Sequence, residues 1–347
     1  MKIFLTIIAV GFAFGISHSQ VYSPTVGFTT LNLQAGNNFV GFNLLPSVAY
    51  QGTITVSSTN RAEIFLSNAT ISNDQFNPAV IDANNPSTHA IEIVDAGVNQ
   101  GLNTAIVDSL SSDAQVTLQD ALPASVADGS VIRIWKLWTI GDAFGATNSA
   151  GLTSTTSANT SDLVLIPTAA GGYDQFYYSA GGIPGVGWRK VGGGSTSRSG
   201  FPIYFTDGFL ILARSGKSIT VTGAVKPGQT TVVVETGNNF FTNLCPVNAG
   251  GANPSVEGRT LGNSNLYNGT ANGLIGTSSA NTADLVLIWN GTGYDQYYYS
   301  TGGIPGVGWR RVGGGNTDRA SIPFPDGAFI VLRRGAPTTI ALSQASF

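Results

Sequence analysis

Two matching aromatic segments contain the residues of this chain best suited to bind a ligand. In the first, residues 173–178 (YDQFYY) precede a glycine-rich turn and the pair Trp188 and Arg189. Alternate residues of a β-strand point to opposite faces, so both faces of this segment carry aromatic rings. Exposed rings stack on the apolar faces of sugars, while neighbouring polar groups bind sugar hydroxyls. The pattern therefore raises polysaccharide binding as a function, with candidate residues Tyr177, Tyr178, Trp188 and Arg189 and, in the second segment, Tyr298, Tyr299, Trp309 and Arg310.

A second interpretation is that both faces of each aromatic segment are covered. In a β-sandwich, the tyrosine hydroxyls reach loops and the arginine stacks on the tryptophan. The sequence favours this interpretation over an exposed aromatic surface.

Recurring carboxylates offer a possible enzymatic chemistry. A glycosidase needs two carboxyl groups about 5–10 Å apart in a cleft. An aspartate followed by glycine is typical of a turn, and an aspartate that follows a polar loop is typical of a strand entry. We therefore predict no catalytic residue, and a glycoside-active enzyme that uses Asp174 or Asp295 as its acid is the least favoured alternative. The acids concerned are Asp162, Asp174 and Asp207 and their matches Asp284, Asp295 and Asp326.

Nucleophilic and metal chemistry lack the necessary residues. Beyond the N-terminal leader the chain has one histidine, His89, and one cysteine, Cys245. A catalytic triad or a histidine and cysteine metal site needs several such groups together. Leu45 occupies the position of Cys245 in an earlier copy of the same pattern, which indicates a buried apolar thiol. We expect His89 to be structural, and we predict no metal and no cofactor.

The elements that position these residues belong to a long chain of low charge. The chain has 347 residues, of which 10% are charged, with 45 glycines and a formal net charge of -3. This length suggests two domains. A nucleic-acid partner is excluded because it requires a concentrated basic surface.

The first nineteen residues resemble a secretory signal peptide. Lys2 precedes the apolar run 3–16, and the small residues Ser17 and Ser19 form a cleavage site. The run is shorter than the roughly 20 residues that span a bilayer. We predict cleavage after Ser19, export to the extracellular space, cell surface or periplasm, and no membrane span in the mature chain.

An internal repeat organises the mature chain. Residues 177–194 and 298–315 agree at 16 of 18 positions across a spacing of 121. Residues 29–39 resemble residues 230–240 across a spacing of 201, so the first copy carries about eighty additional residues. We predict a first module at 20–225 with an insert at about 50–137, and a second module at 226–347.

Both modules are predicted to consist of β-strands. Short runs rich in Val, Ile, Tyr, Phe and Trp alternate with Gly, Pro, Asn and Ser, and no window shows a capped helical stripe. The insert contains five such runs, which could close a small barrel or add a sheet to the first copy, at 52–56, 62–66, 90–94, 114–118 and 130–135. The expected fold is all-β, with two homologous β-sandwich or barrel-like modules, the first carrying an inserted small β-barrel-like subdomain.

The second copy of the repeat also carries a resemblance to a known family. Its motifs are D-L-V-L-I at 284–288, G-Y-D-Q-x-Y-Y-S at 293–300, G-x-G-W-R at 306–310 and D-G-x-x-I at 326–330. These resemble an uncharacterised family of secreted paralogous β-proteins from verrucomicrobial and related bacteria. The resemblance implies export and a β-architecture, and it implies no activity.

The sequence thus predicts a secreted, non-catalytic structural protein of a surface or extracellular matrix that acts by association. The expected partners are further copies of the chain through strand edges, or an extracellular polysaccharide.

Overall fold

The protein has an all-β fold, which confirms the predicted fold class. The computed structural model describes residues 26–168, 171–244, 260–270, 272–325 and 327–342. Within them lie twenty-two β-strands, one short α-helix and one 3₁₀ turn. The strands form two modules and one closed barrel.

The first module packs a two-stranded ribbon on a five-stranded antiparallel sheet. The ribbon is β1–β15 and the sheet order is β12-β11-β10-β14-β2. Ribbon residues Leu31 and Ile219 share a core with Phe176 and Phe209 of the sheet, and burial of these side chains holds the layers together. The strands are β1 (Val26–Leu33), β2 (Gly36–Val40), β9 (Trp138–Thr139), β10 (Leu163–Pro167), β11 (Tyr173–Ala180), β12 (Val186–Lys190), β13 (Pro202–Ile203), β14 (Phe209–Ala213) and β15 (Lys217–Ala224).

The insert is a closed six-stranded barrel in the order β3-β4-β7-β6-β5-β8. Its core is mainly aliphatic, with Ile54, Ile64 and Ile106 fully buried. The strands are β3 (Val48–Val56), β4 (Glu63–Leu66), β5 (His89–Ile93), β6 (Asn103–Leu110), β7 (Gln115–Leu118) and β8 (Val131–Lys136).

Two elements differ from the sequence-based expectation. Strand β6 is absent from the five predicted strands because polar residues interrupt it. One of these, Ser109, is fully buried and donates to Asn77 Oδ1 at 2.6 Å. The helix α1 (Ile140–Phe144) is too short to show a helical stripe, and the Thr139 side chain caps it by accepting from the Asp142 N–H.

The second module repeats the sheet order of the first. Its ribbon is β16–β22 and its sheet order is β17-β21-β18-β19-β20. Phe209 lies opposite Val40 in the first sheet, and Phe329 lies opposite Phe241 in the second. Val40 and Phe241 are equivalent positions, 201 residues apart, so their strand partners Phe209 and Phe329 are equivalent as well. Alignment of the two Asp-Gly dipeptides in the sequence gives a match that differs from this one by one residue. The strands are β16 (Thr230–Val234), β17 (Gly237–Thr242), β18 (Leu285–Trp289), β19 (Tyr294–Thr301), β20 (Val307–Arg311), β21 (Ala328–Arg333) and β22 (Thr338–Leu342).

The two modules meet through an aromatic cluster on their five-stranded sheets. Phe39 contacts both Phe240 and Tyr294, with ring centroids 5.9 Å and 6.3 Å away. Phe240 also contacts Tyr173 at 6.0 Å. Gly208 lies against this cluster, and a Cβ there would come within 2.7 Å of Ala328 Cβ. The close approach of the two sheets therefore requires glycine at this position.

The barrel is tied to both modules by polar contacts. Arg198 of the first module donates to the Asn84 carbonyl at 2.8 Å. Asn103 of the barrel donates to the Thr231 carbonyl of the second module at 2.8 Å. Lys226, in the linker between the modules, forms a buried ion pair with Glu92 of the barrel.

Candidate functional site

The most distinctive surface features are two hairpin tips of identical sequence, GGIPGVG. The first tip (residues 181–187) joins β11 to β12, and the second tip (residues 302–308) joins β19 to β20. In the first tip, the Gly185 N–H donates to the Gly182 carbonyl at 3.0 Å across Pro184. Both glycines have positive φ angles, 79° and 72°, which other residues rarely adopt. The local sequence thus dictates a tight turn.

A buried arginine holds the first tip from inside. The Arg189 guanidinium donates to three backbone carbonyls, of Pro184 at 2.6 Å, Val186 at 2.8 Å and Trp188 at 3.0 Å. Hydrogen bonds from a charged donor are stronger than those between neutral groups. The arginine therefore fixes the turn in one conformation.

The second tip has the same internal support. Arg310 donates to the carbonyls of Pro305 at 2.6 Å, Val307 at 2.7 Å and Trp309 at 3.0 Å. It also pairs with Asp318 at 3.3 Å. Each tip is therefore held by one arginine that donates to three backbone carbonyls.

Each tip displays aliphatic side chains to solvent. The exposed fraction of Ile183 is 101% and that of Ile304 is 93%, and Val186 and Val307 are each 64% exposed. Isoleucine is among the residues most often buried in proteins. A fully exposed isoleucine on a rigid turn is chemically suited to pack against another apolar surface.

The candidate aromatic residues do not form an exposed surface in either module. Trp188 and Trp309 lie in the cores, 1% and 3% exposed, and Tyr177 and Tyr298 are each 7% exposed. These side chains are covered, as the sequence favours. The arginines, however, bind backbone carbonyls and do not stack on the tryptophans.

The remaining two candidate tyrosines lie beside the buried indoles. Tyr178 and Tyr299 are half-buried. Each contacts its tryptophan edge to face, with ring centroids 5.6 Å apart for Tyr178 and Trp188 and 5.8 Å for Tyr299 and Trp309. The structure therefore brings a tyrosine, a tryptophan and an arginine together in each module.

The recurring aspartates that the structure describes are matched with cations, with one exception. The pairs are Asp162 with Lys217 at 2.5 Å, Asp174 with Lys190 at 2.8 Å, Asp284 with Arg333 at 2.6 Å and Asp295 with Arg311 at 2.6 Å. The exception is Asp207. Asp326 and Cys245 lie outside the described residues, as does the predicted signal peptide.

Asp162 and Asp284 also organise the backbone around them. Asp162 accepts from the Thr153 and Arg214 backbone N–H groups at 2.7 and 2.6 Å. Asp284 accepts from Ile275 and Arg334 at 2.6 and 2.7 Å in the same way. Carboxylates bonded in this manner fix loops, and these contacts are structural.

His89 lies at the start of β5 and has aromatic and hydroxyl neighbours. Its ring is 5.6 Å from the ring of Phe76, and its Nδ1 is 3.0 Å from Thr88 Oγ1. Burial lowers the pKa of His89, which favours the neutral imidazole. Among the described residues, no cluster of three or more His, Cys, Asp or Glu side chains is placed to hold a metal ion.

A cavity of about 340 Å³ lies where the barrel and the two modules meet. Asp207 lines it, and burial raises the pKa of this carboxyl to about 7. Tyr204 also lines it and donates to Asn103 Oδ1 at 3.1 Å. Burial, followed by the charges of Asp207 and Asp120, raises the pKa of Tyr204. The sequence pattern assigned Asp207 to a turn and did not reveal its place in the lining of this cavity.

The sequence pattern predicts the two tips only as turns. One signal for their exposure was present in the sequence, because Ile183 and Ile304 each lie between glycine and proline. A residue there has no strand face on which to be buried. An aliphatic residue in the same turn of both copies thus indicates a displayed side chain.

Comparison of the chain with protein-family models, curated proteins and solved structures gave no match. Within the described ranges, no helix is both long and apolar enough to cross a membrane.

Proposed function

We propose that the protein is an exported, non-catalytic structural component of a cell surface or extracellular matrix, and that it associates with further copies of itself through its two tips. The observation that carries this proposal is the near-complete exposure of Ile183 and Ile304 on turns that are held by buried arginines. Both side chains are available for packing without a conformational change.

The rigidity of the tips favours binding. Association loses free energy when mobile loops become ordered, and a preformed turn avoids this cost. The three hydrogen bonds from Arg189 order the first tip before a partner arrives. An apolar contact of modest area can then contribute to affinity.

The identity of the two tips supports a second copy of the chain as the partner. Each tip offers one isoleucine and one valine and contains no charged residue. A tip of one molecule packed on a tip of another is a self-complementary contact, the kind found in two-fold symmetric interfaces. Because each chain has two tips, the same contact made at both tips extends into a chain of linked molecules.

Export and composition agree with this role. The leader predicts an extracytoplasmic location. Only 10% of the residues are charged and the formal net charge is -3, so repulsion between copies is small. Four aspartates of the repeat, Asp162, Asp174, Asp284 and Asp295, form ion pairs, which favours a structural role for them over a catalytic one.

Sedimentation velocity over a range of protein concentrations tests the proposal. The wild-type protein is expected to form species that grow with concentration, and the Ile183→Ser/Ile304→Ser variant is expected to remain monomeric. The matched control is Val98→Ser, because Val98 is 88% exposed on the barrel and belongs to neither tip. The control should behave like wild type. A wild-type protein that stays monomeric throughout contradicts the proposal.

A further inference from the structure

Trp309 differs from its counterpart Trp188 in the partner of its indole N–H. The Trp188 Nε1–H donates to the Gly145 carbonyl at 2.9 Å. Trp309 is only 3% exposed, yet within the described part of the chain its Nε1–H has no acceptor. Although the side chain is buried, its Nε1 atom is not enclosed, and the N–H opens onto the neighbouring cavity. A donor in this state is prepared to bind an acceptor that comes from outside the chain.

The difference arises from the segment that packs over the indole ring. In the first module, helix α1 places Phe144 against Trp188 and ends at Gly145, whose carbonyl accepts the indole proton. In the second module the corresponding residues form turns, and Leu266 enters the core. The next residue, Tyr267, stacks on Tyr299 at 3.6 Å. The acceptor found in the first module is thereby replaced by open space.

This space is a cavity of about 470 Å³ in the second module. Pockets that hold small ligands have volumes of about 300–1,000 Å³. The cavity lining combines two tyrosine rings and the indole with polar groups and glycine backbone. The side chains that line it include Tyr267, Asn268, Tyr299, Trp309 and Asp318.

The charge of the lining restricts the class of ligand. Among the described residues that line the cavity, Asp318 is the only one with a carboxyl group, and Arg310 pairs with it at 3.3 Å. The site is therefore close to neutral and has no unpaired cation for a phosphate or carboxylate. A wholly apolar ligand is equally unsuitable, since it leaves the Trp309 N–H and the Asp318 carboxylate without new partners.

We propose that this cavity binds one unit of a neutral saccharide. The tyrosine rings supply a surface for the apolar face of a sugar. The Trp309 Nε1–H donates to a hydroxyl oxygen, and the Asp318 carboxylate, whose side chain is 61% exposed, accepts from a hydroxyl group. The site lies in the second module, since in the first module the Gly145 carbonyl already accepts the indole proton. It does not depend on association through the tips.

The test is retention of the full protein on insoluble cellulose, chitin and β-1,3-glucan. All proteins carry Ile183→Ser/Ile304→Ser, so that sedimenting assemblies are not counted as retained protein. Trp309→Phe keeps an aromatic ring and removes the N–H, and we expect about tenfold weaker retention from the loss of one hydrogen bond. Trp188→Phe is the matched control in the first module and should retain normally.

A second variant keeps the test decisive if Trp309→Phe disturbs folding. Asp318→Ala alters a largely exposed side chain, and we expect it to weaken retention as well. Thermal unfolding of each variant confirms that it is folded. The inference is overturned if no polysaccharide retains the protein, or if both variants are retained as strongly as Trp188→Phe.

Discussion

Phe39 of the first module and Phe240 of the second occupy equivalent positions 201 residues apart, and their rings meet at 5.9 Å with an interplanar angle of 76°. Phe39 also contacts Tyr294, and Phe240 contacts Tyr173, the residue equivalent to Tyr294. Each module therefore presents the same surface to the other. This is the contact pattern of a two-fold symmetric dimer, formed here within one chain.

This relationship predicts an energetic coupling between the two phenylalanines. Phe39→Ala and Phe240→Ala should each lower the free energy of unfolding, and the double variant should lose about 0.5–1.5 kcal/mol less than the sum. Urea unfolding of the four proteins measures the coupling. Phe28→Ala is the control because Phe28 is 76% exposed, and it should change stability by no more than about 0.5 kcal/mol. Strictly additive losses would show that the rings do not interact.

The arginine within the first tip should control its rigidity. Arg189→Met removes hydrogen bonds to the carbonyls of Pro184, Val186 and Trp188. We expect faster amide hydrogen exchange within the first tip and a loss of about 2–3 kcal/mol in the free energy of unfolding. The second tip serves as an internal control and should exchange as in wild type. Unchanged exchange in the first tip contradicts the role assigned to Arg189.

Loss of one partner of the ion pair between Lys226 and Glu92 should strongly lower the free energy of unfolding because the pair is buried. Their side chains are 1% and 3% exposed, and Glu92 also accepts from Trp135 Nε1 at 2.6 Å. Lys226→Met leaves the carboxylate buried without its cation, which costs about 3–5 kcal/mol.

Lys136→Met provides the matched comparison for this ion pair. Lys136 pairs with Asp142 at the surface, where the side chains are 42% and 39% exposed. Its loss should cost no more than about 1 kcal/mol. Chemical denaturation distinguishes the two variants, and equal effects would contradict the burial argument.

Asp207 should make stability depend on pH. Burial raises its pKa from 3.8 to about 7, so between these values the folded state binds a proton that the unfolded state releases. The contribution of Asp207 to stability is therefore fully present below about pH 4, falls by at most about 1.4 kcal/mol per pH unit as pH rises, and is lost above about pH 7. Asp207→Asn should remove this decline. Parallel pH profiles for the two proteins would contradict the assignment.

The sequence predicted the parts of the fold that depend on local pattern. Short alternating runs identified the main strands, and the offset between the two repeat spacings indicated the insert that forms the barrel. It did not predict β6, because the polar residues Asp108 and Ser109 are accommodated only by tertiary contacts such as the bond from Ser109 to Asn77. It did not predict α1, whose five residues are stabilised by its cap and by packing of Phe144.

The candidate sites were only partly predictable for the same reason. Period-two alternation showed that rings face both sides of β11 and β19, but burial of Trp188 and Trp309 depends on which elements pack above them. The open space beside Trp309 exists because the second module has turns where the first module has helix α1. Likewise, the pKa of Asp207 is raised because the barrel and the two modules meet around it, which no local pattern encodes.

The most direct test of association through the tips is the limiting mass of the two single-tip variants. Ile183→Ser leaves only the second tip intact and Ile304→Ser leaves only the first, so each chain keeps one contact. Sedimentation equilibrium at high protein concentration should then give dimers for both variants, while wild type forms larger species. If either single-tip variant assembles beyond a dimer, or if both remain monomeric where wild type assembles, contact of tip with tip is not the basis of association.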